Sequence, residues 1–273
     1  SWNGSDYDWA ASGADLYAAN ESSPSAQPSA TGANAVALGE SSTASGTNSF
    51  AFGTDAVASA LNAIALGLQT DATGNNSLAL GFKAQAISGS TATALTNSYA
   101  SGAGSFAAAM DSNTSSYGAL GGTSVALGYQ AKASSNNSIA IGQNTQSSMF
   151  HTVAIGESAN ASGNRAIAIG RSTQASGSYA TALGVNASAG GSIASGSGSV
   201  ALGGSLASGQ NSVAIGIGSS VSNGALNTQA VAIGQNARAN GTSSIALGTN
   251  TDATSNQAAA FGYNAQAAGV TSV

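Results

Sequence analysis

The chain has 273 residues, of which five are Lys or Arg and ten are Asp or Glu, giving a formal net charge of −5. Cations this few and scattered argue against a nucleic-acid binder, which needs clustered Lys and Arg to neutralise phosphates. Cysteine is absent, which excludes disulfides and thiolate chemistry, and no apolar run approaches the roughly twenty residues of a membrane-spanning helix. Hydrophobic residues nevertheless make up 42% of the chain, which favours order because disordered chains combine low apolar content with high net charge.

Residues 1–31 precede any repeat and concentrate aromatic and acidic side chains, among them Trp2, Trp9, Asp6 and Asp8. We predict that this segment forms a cap over the first repeat together with a connecting stretch. An aromatic and acidic sugar- or ligand-binding patch is the alternative. Asp6 and Asp8 have the spacing of two calcium ligands, but no Asp-bearing glycine-rich nonapeptide recurs, so we predict no metal and no cofactor.

Residues 32–273 repeat one signature, an apolar residue, alanine, a second apolar residue and glycine. Most of the closing glycines lie 14 residues apart. They are Gly39, Gly53, Gly67, Gly81, Gly128, Gly142, Gly156, Gly170, Gly184, Gly203, Gly216, Gly234, Gly248 and Gly262. A fixed period of this kind is the signature of a solenoid, in which each repeat forms one coil.

One repeat, between Gly156 and Gly170, contains two short stretches of period two. Ile167 and Ile169 flank Ala168, and Ala159 and Ala161 flank Asn160, and alternation of this kind predicts a strand. The Ser-Gly-Asn sequence between the two stretches is typical of a turn. Fourteen residues are too few for a three-sided coil, so we predict an all-β fold, a flattened two-sided roll of strand, turn, strand and turn.

Charged residues indicate which columns of the roll face water. The middle position of the second strand holds Asp71, Lys132 and Arg238 in different repeats, with alanine on either side; we expect the charges outside and those alanines inside. We interpret the Val, Ile and Leu columns as facing a thin core, with the alanine between them fit to pack on another chain. On that interpretation Ile167→Asp is severely destabilising and Asn160→Asp has almost no effect on stability. Alternation alone leaves open which apolar columns line the core and which line a contact between chains.

Three places depart from the regular period. Residues 82–124 keep only traces of the signature, which predicts degenerate coils or a loop-bearing stretch. Longer steps before Gly203 and Gly234 predict insertions near residues 190–198 and 220–228, and insertions on a solenoid form loops. Residue 273 falls inside a repeat, so we expect a chain truncated before further segments.

The stretches 137–142 (Asn-Ser-Ile-Ala-Ile-Gly) and 211–216 (Asn-Ser-Val-Ala-Ile-Gly), each preceded by turn glycines, resemble the YadA-like head repeats of trimeric autotransporter adhesins. The resemblance covers residues 32–273. It implies a left-handed parallel β-roll, a homotrimer, and display on the outer surface of a Gram-negative bacterium, where it would serve virulence. It also implies attachment to host extracellular matrix, cells or other surfaces, and autoaggregation. Neck, stalk and membrane-anchor sequences are absent from this chain, so anchoring to the outer membrane would use other segments, and the ligand-binding residues stay unknown.

Other functions fit the sequence less well. The only histidine, His151, lies in a turn with no Asp or Glu column beside it, so we predict an inert histidine, no catalytic residue and no enzyme, because catalysis requires converging titratable groups. An ice- or lattice-binding solenoid needs a ladder of one residue, usually threonine, but the outward column runs Thr43, Val57, Asp71, Gln85. A passive spacer that projects a binding tip remains the alternative to an adhesive head.

Overall fold

The computed structural model describes residues 27–87, 92–108, 116–184, 191–221 and 228–272. They form a β-solenoid of two parallel sheets, and each coil gives one three-residue strand to the first sheet and one two-residue strand to the second. Successive coils pair in register: Val153 lies opposite Ile167, and Asn160 lies opposite Gln174. These offsets of 14 residues confirm the predicted all-β solenoid and its coil length.

The strands of the two sheets alternate along the chain. The three-residue sheet consists of Val36–Leu38, Phe50–Phe52, Ile64–Leu66, Leu78–Leu80, Thr93–Leu95, Phe106–Ala108, Val125–Leu127, Ile139–Ile141, Val153–Ile155, Ile167–Ile169, Thr181–Leu183, Val200–Leu202, Val213–Ile215, Val231–Ile233, Ile245–Leu247 and Ala259–Phe261. The two-residue sheet consists of Ser29–Ala30, Thr43–Ala44, Val57–Ala58, Asp71–Ala72, Gln85–Ala86, Tyr99–Ala100, Gly118–Ala119, Lys132–Ala133, Gln146–Ser147, Asn160–Ala161, Gln174–Ala175, Ile193–Ala194, Leu206–Ala207, Ser220–Val221, Arg238–Ala239, Asp252–Ala253 and Gln266–Ala267. At the usual spacing of parallel strands the roll is about 75 Å long.

Small side chains fill the space between the two sheets. Among the described residues, every buried side chain belongs to Ala, Ser or Thr except that of Val221. Ala168 of the three-residue sheet and Ala175 of the two-residue sheet are both fully buried. The alanines predicted to flank the charged column, such as Ala131 and Ala133, are also fully buried, which confirms that part of the facing assignment.

The Val, Ile and Leu columns lie outside the roll, so our interpretation of them as core residues is wrong. On the strand Ile167–Ile169 the two isoleucines are half-buried and exposed, respectively, and only the alanine between them points inward. The physical reason is the thinness of the roll, because two sheets in contact through alanines leave no room for a four-carbon side chain. An aspartate at position 167 would therefore lie on the surface of a single chain rather than between its sheets.

Buried hydroxyl groups in the core bond to the turns on either side. Thr145 Oγ1 donates to the carbonyl of Gly142 at 2.8 Å, and Thr173 Oγ1 donates to that of Gly170 at 2.9 Å. In the other turn, Ser138 Oγ donates to the carbonyl of Ser135 at 2.6 Å. Thr145, Thr173 and Ser138 thus fill small core positions with their hydroxyl groups paired. The buried hydroxyl groups of Ser42, Ser49, Ser77, Ser105 and Ser199 have no hydrogen-bond partner, which costs free energy.

Two effects favour glycine at the position that closes a coil, positive φ and contact with the next coil. At Gly67, φ is +132°, a conformation that side chains with a Cβ rarely adopt, and an added Cβ would lie 2.3 Å from the carbonyl oxygen of Gly81 in the next coil. At Gly262, φ is +113° but nothing lies within 4 Å of the added Cβ. Comparing substitutions at Gly67 and Gly262 therefore separates the cost of backbone strain from the cost of the steric clash between coils.

Gly67→Ala is expected to lower the free energy of unfolding by about 2–4 kcal/mol, because left-handed strain and overpacking add together. Gly262→Ala carries only the backbone strain, about 1–2 kcal/mol. Urea titrations of both variants against the parent chain measure the difference. Equal losses at the two positions would contradict the proposed contact between successive turns.

The stretches of irregular sequence contain regular strands. Within residues 82–124, Thr93 pairs with Leu78 and Phe106 pairs with Val125, so the three-residue sheet continues through them. The insertion expected near residues 190–198 is misplaced, because Ile193–Ala194 is a strand in register with Gln174–Ala175. The added residues precede it, and residues 185–190 and 222–227 lie outside the described part of the chain. Residues 1–26 also lie outside it, and they make up most of the predicted cap segment 1–31, with its aromatic residues and aspartates.

Candidate functional site

One face of the roll is a continuous apolar surface, which we call the apolar face. It consists of the outward side chains, the first and third residues, of the sixteen three-residue strands. These are Val36, Leu38, Phe50, Phe52, Ile64, Leu66, Leu78, Leu80, Thr93, Leu95, Phe106, Ala108, Val125, Leu127, Ile139, Ile141, Val153, Ile155, Ile167, Ile169, Thr181, Leu183, Val200, Leu202, Val213, Ile215, Val231, Ile233, Ile245, Leu247, Ala259 and Phe261. None is charged and none is buried in the single chain.

The apolar face is too large for a surface left in water. Three of its four phenylalanines are its most exposed side chains, with Phe50, Phe52 and Phe261 at 47%, 55% and 54% exposure. From the strand spacing, two side-chain columns over sixteen strands cover roughly 750 Å². Because the largest apolar patch on a typical monomer is about 300–600 Å², this face has the size of an interaction surface.

The backbone beneath the apolar face is saturated with hydrogen bonds. Each three-residue strand between the first and the last pairs with the strand of the preceding and of the following coil, as Ile139–Ile141 does with Val125–Leu127 and Val153–Ile155. A partner on this face can therefore contact only side chains, and its contribution must come from apolar burial and shape complementarity. The face repeats in register from coil to coil, which suits a second surface with the same repeat.

The opposite face, formed by the two-residue strands, is polar, and we call it the polar face. Gln85 Nε2 donates to Asp71 Oδ2 at 3.2 Å. Farther along, Arg238 Nη2 donates to Asp252 Oδ2 at 2.5 Å and the two form an ion pair beside a groove of about 400 Å³. Because the guanidinium and the carboxylate neutralise each other, this groove offers hydrogen bonds but no net charge.

A third surface lies on the turns that lead from the two-residue strands into the three-residue strands. In three successive coils these turns present His151, Arg165 and Tyr179 at equivalent positions, with Phe150 beside His151. We call these four residues the turn stack. The sequence interpretation treated His151 as an isolated turn residue, but its spacing of 14 from Arg165 and from Arg165 to Tyr179 was a signal that the three are neighbours.

Ionisable groups do not converge elsewhere on the described chain. Among the described residues, no group of three or more His, Asp or Glu is placed to hold a metal ion. Asp6 and Asp8, the pair with calcium-ligand spacing, fall outside the described range. Within that range no helix is long and apolar enough to cross a bilayer.

The repeat can also be compared with known families. A family model described as the YadA head domain repeat matches residues 30–56, 58–84, 119–145, 147–173, 175–192, 207–223 and 225–251, more than half of the chain. The chain belongs to the YadA head repeat family. No curated protein matches it in a search by sequence.

Membership in this family confirms the predicted resemblance to the heads of YadA-like trimeric autotransporter adhesins. An adhesin-type function in general follows from it, and the fold is that of a structural, non-enzymatic protein. The matched segments include most of the coils that display the apolar face. They also include the whole of the turn stack, because residues 147–173 and 175–192 contain its four members.

Proposed function

We propose that three copies of this YadA-like head pack in parallel, with their apolar faces toward a common axis. The exposed apolar face supports the proposal, because each chain presents an uncharged surface along its whole described length. Association of parallel chains brings equivalent coils to the same height, so the phenylalanines at 50 and 52 of one chain meet those of its neighbours. In the trimer each chain divides its face of roughly 750 Å² between two neighbours, and the whole face is close to the roughly 800 Å² that one partner contributes to a standard interface.

The assembled head acts as an adhesin at the outer surface of a Gram-negative bacterium, anchored to the outer membrane through segments that lie outside this chain. Its targets are host extracellular-matrix proteins, host cells or other surfaces, and contacts between heads on neighbouring bacteria produce autoaggregation. With the apolar faces covered, the polar face and the turns are left to make these contacts. The observation that carries this function is the match of the head repeat to the coils that form the roll.

The adhesive function is tested with fluorescent beads that carry the purified chain. The expected result is saturable binding to host cells or to at least one of three immobilised matrix proteins (collagen, fibronectin and laminin) above the level of beads carrying albumin. Clumping of the beads would report autoaggregation. A correctly assembled head that binds none of these surfaces would contradict the adhesive function and favour a passive spacer.

A further inference from the structure

We propose that the turn stack, formed by Phe150, His151, Arg165 and Tyr179, is a binding site for an acidic sugar. The anionic group of the sugar pairs with the guanidinium of Arg165, and the sugar ring packs on the neighbouring aromatic side chains. This assignment rests on the adhesive function proposed above and names a ligand class for it. The stack lies on a turn of the roll, outside the apolar face.

The cation of the stack is held in place before any ligand binds. Arg165 Nη1 donates to the hydroxyl of Tyr179 at 2.6 Å, and the guanidinium carbon lies 5.3 Å from the centre of the tyrosine ring. The backbone N–H groups of Arg165 and Tyr179 donate to the carbonyls of Phe150 and Asn164 at 3.0 and 2.8 Å. Ordering of side chains opposes binding, so a cation already fixed on rigid turns favours it.

Among the described residues, the positive charge of Arg165 has no counterpart on its side of the roll. In the described turns that lead into the three-residue strands, Arg165 is the only residue with a formal charge at neutral pH. Arg171, six residues later, lies on the opposite turn and has Glu157 within 3.6 Å. A carboxylate or sulfate would therefore find at Arg165 an uncompensated guanidinium, whose planar donors suit bidentate pairing with such groups.

The fold itself does not require these side chains. At the equivalent positions near the start of the roll stand asparagines, such as Asn48 and Asn62, whose amides bond from coil to coil at 3.1 Å. The backbone at Asn48 and Asn62 has φ of 55° and 53°, a conformation that suits asparagine better than larger side chains. Arg165 and Tyr179 adopt it with φ of 58° and 59°, and Tyr179 remains 58% exposed, so the larger side chains bring backbone strain without burial.

One further feature fits a sugar rather than another anion. Phe150 is 50% exposed beside His151, and the C–H groups of a sugar ring can pack against such an apolar ring face. Nucleic acid does not fit, because a single fixed cation cannot neutralise a run of phosphates.

The test measures binding of the intact chain to 3′-sialyllactose and to sulfated lactose, with lactose as the neutral comparison, by saturation-transfer NMR and calorimetry. We expect at least one acidic sugar to bind at least tenfold more tightly than lactose. Binding to both would assign the site to anionic sugars in general, and binding to one would assign it to the carboxylate or the sulfate. Failure of both acidic sugars to bind, or equal binding of lactose, would overturn the proposal.

Variants separate the turn stack from the rest of the surface. Arg165→Asn and Tyr179→Asn restore the residue that suits this backbone, so their melting temperatures should stay level or rise while sugar binding falls at least tenfold. Arg171→Asn removes the same charge from the opposite turn of the roll and should leave binding unchanged. An equal loss in Arg171→Asn, or no loss in Arg165→Asn, would overturn the assignment.

The bead assay distinguishes failure of the sugar site from failure of the adhesive function. Beads that still adhere to matrix or cells while no acidic sugar binds would refute the sugar site and leave the adhesive function standing, whereas absence of both adhesion and sugar binding would refute both.

Discussion

Replacing Ala168 with isoleucine is expected to lower the free energy of unfolding by about 3 kcal/mol or more, the upper range for overpacking a core. Ala168 is fully buried, and its neighbours along the ladder, Ala154 and Ala182, are also alanines. The three extra carbon atoms have no space between the sheets, so they must force the coil apart. Urea and thermal unfolding of the variant measure the loss.

Ile169→Ala provides the matched control, because it removes three carbon atoms from the same strand on the side that faces out. Ile169 is 37% exposed in the single chain, so its truncation should leave the coil intact and weaken only the association of chains. Its effect on stability should therefore depend on protein concentration, whereas that of Ala168→Ile should not. If Ala168→Ile melted at the temperature of the parent chain, the small-residue core would be wrongly assigned.

A pair of aspartates on the apolar face, Ile155→Asp with Ile169→Asp, is expected to weaken self-association at least a hundredfold. The two positions lie opposite each other on successive strands, so the substitution puts adjacent negative charges into the surface that the neighbouring chains would cover. Charges buried without partners cost several kcal/mol each. Sedimentation velocity across a dilution series measures the change, and circular dichroism checks that the strands remain.

The matched control places the same two charges on the polar face, as Asn160→Asp with Gln174→Asp. These residues also lie opposite each other on successive strands of the same region, so the net charge and the spacing of the carboxylates are equal in the two variants. Association should be unaffected in the control. Equal weakening in both variants would show that total charge, rather than the apolar face, governs assembly.

The period, the turns and the two-strand coil could be predicted from the sequence because each depends on local chemistry. A closing glycine such as Gly67 is required by its backbone conformation, and its recurrence every 14 residues sets the length of the coil. From the charge at Lys132 and the alanines on either side of it, we correctly predicted which residues around the two-residue strands face water and which face the core. In these cases the local structure strongly favours a single residue type at a position, so the residue in the sequence indicates that structure.

Which side chains of the three-residue strands point into the core could not be predicted in the same way. On a strand such as Ile167–Ile169 both sides are apolar, so alternation does not distinguish the core from the outside. The size of the side chains was the neglected signal. Apart from Val221, the described positions that face inward, such as Thr173 and Ala175, hold only alanine, serine, threonine or glycine, and a core that thin excludes isoleucine. The turn stack was missed because His151 was considered alone rather than with the residues 14 and 28 positions later.

The most direct test of the account is the solution mass of the unmodified chain, measured by light scattering across a dilution series. The exposed apolar face and the membership in the YadA head family together predict a stable mass of three times 25.8 kDa. A mass of 25.8 kDa at every concentration would show that the apolar face stays uncovered in water, and that result would contradict the proposed assembly of the head.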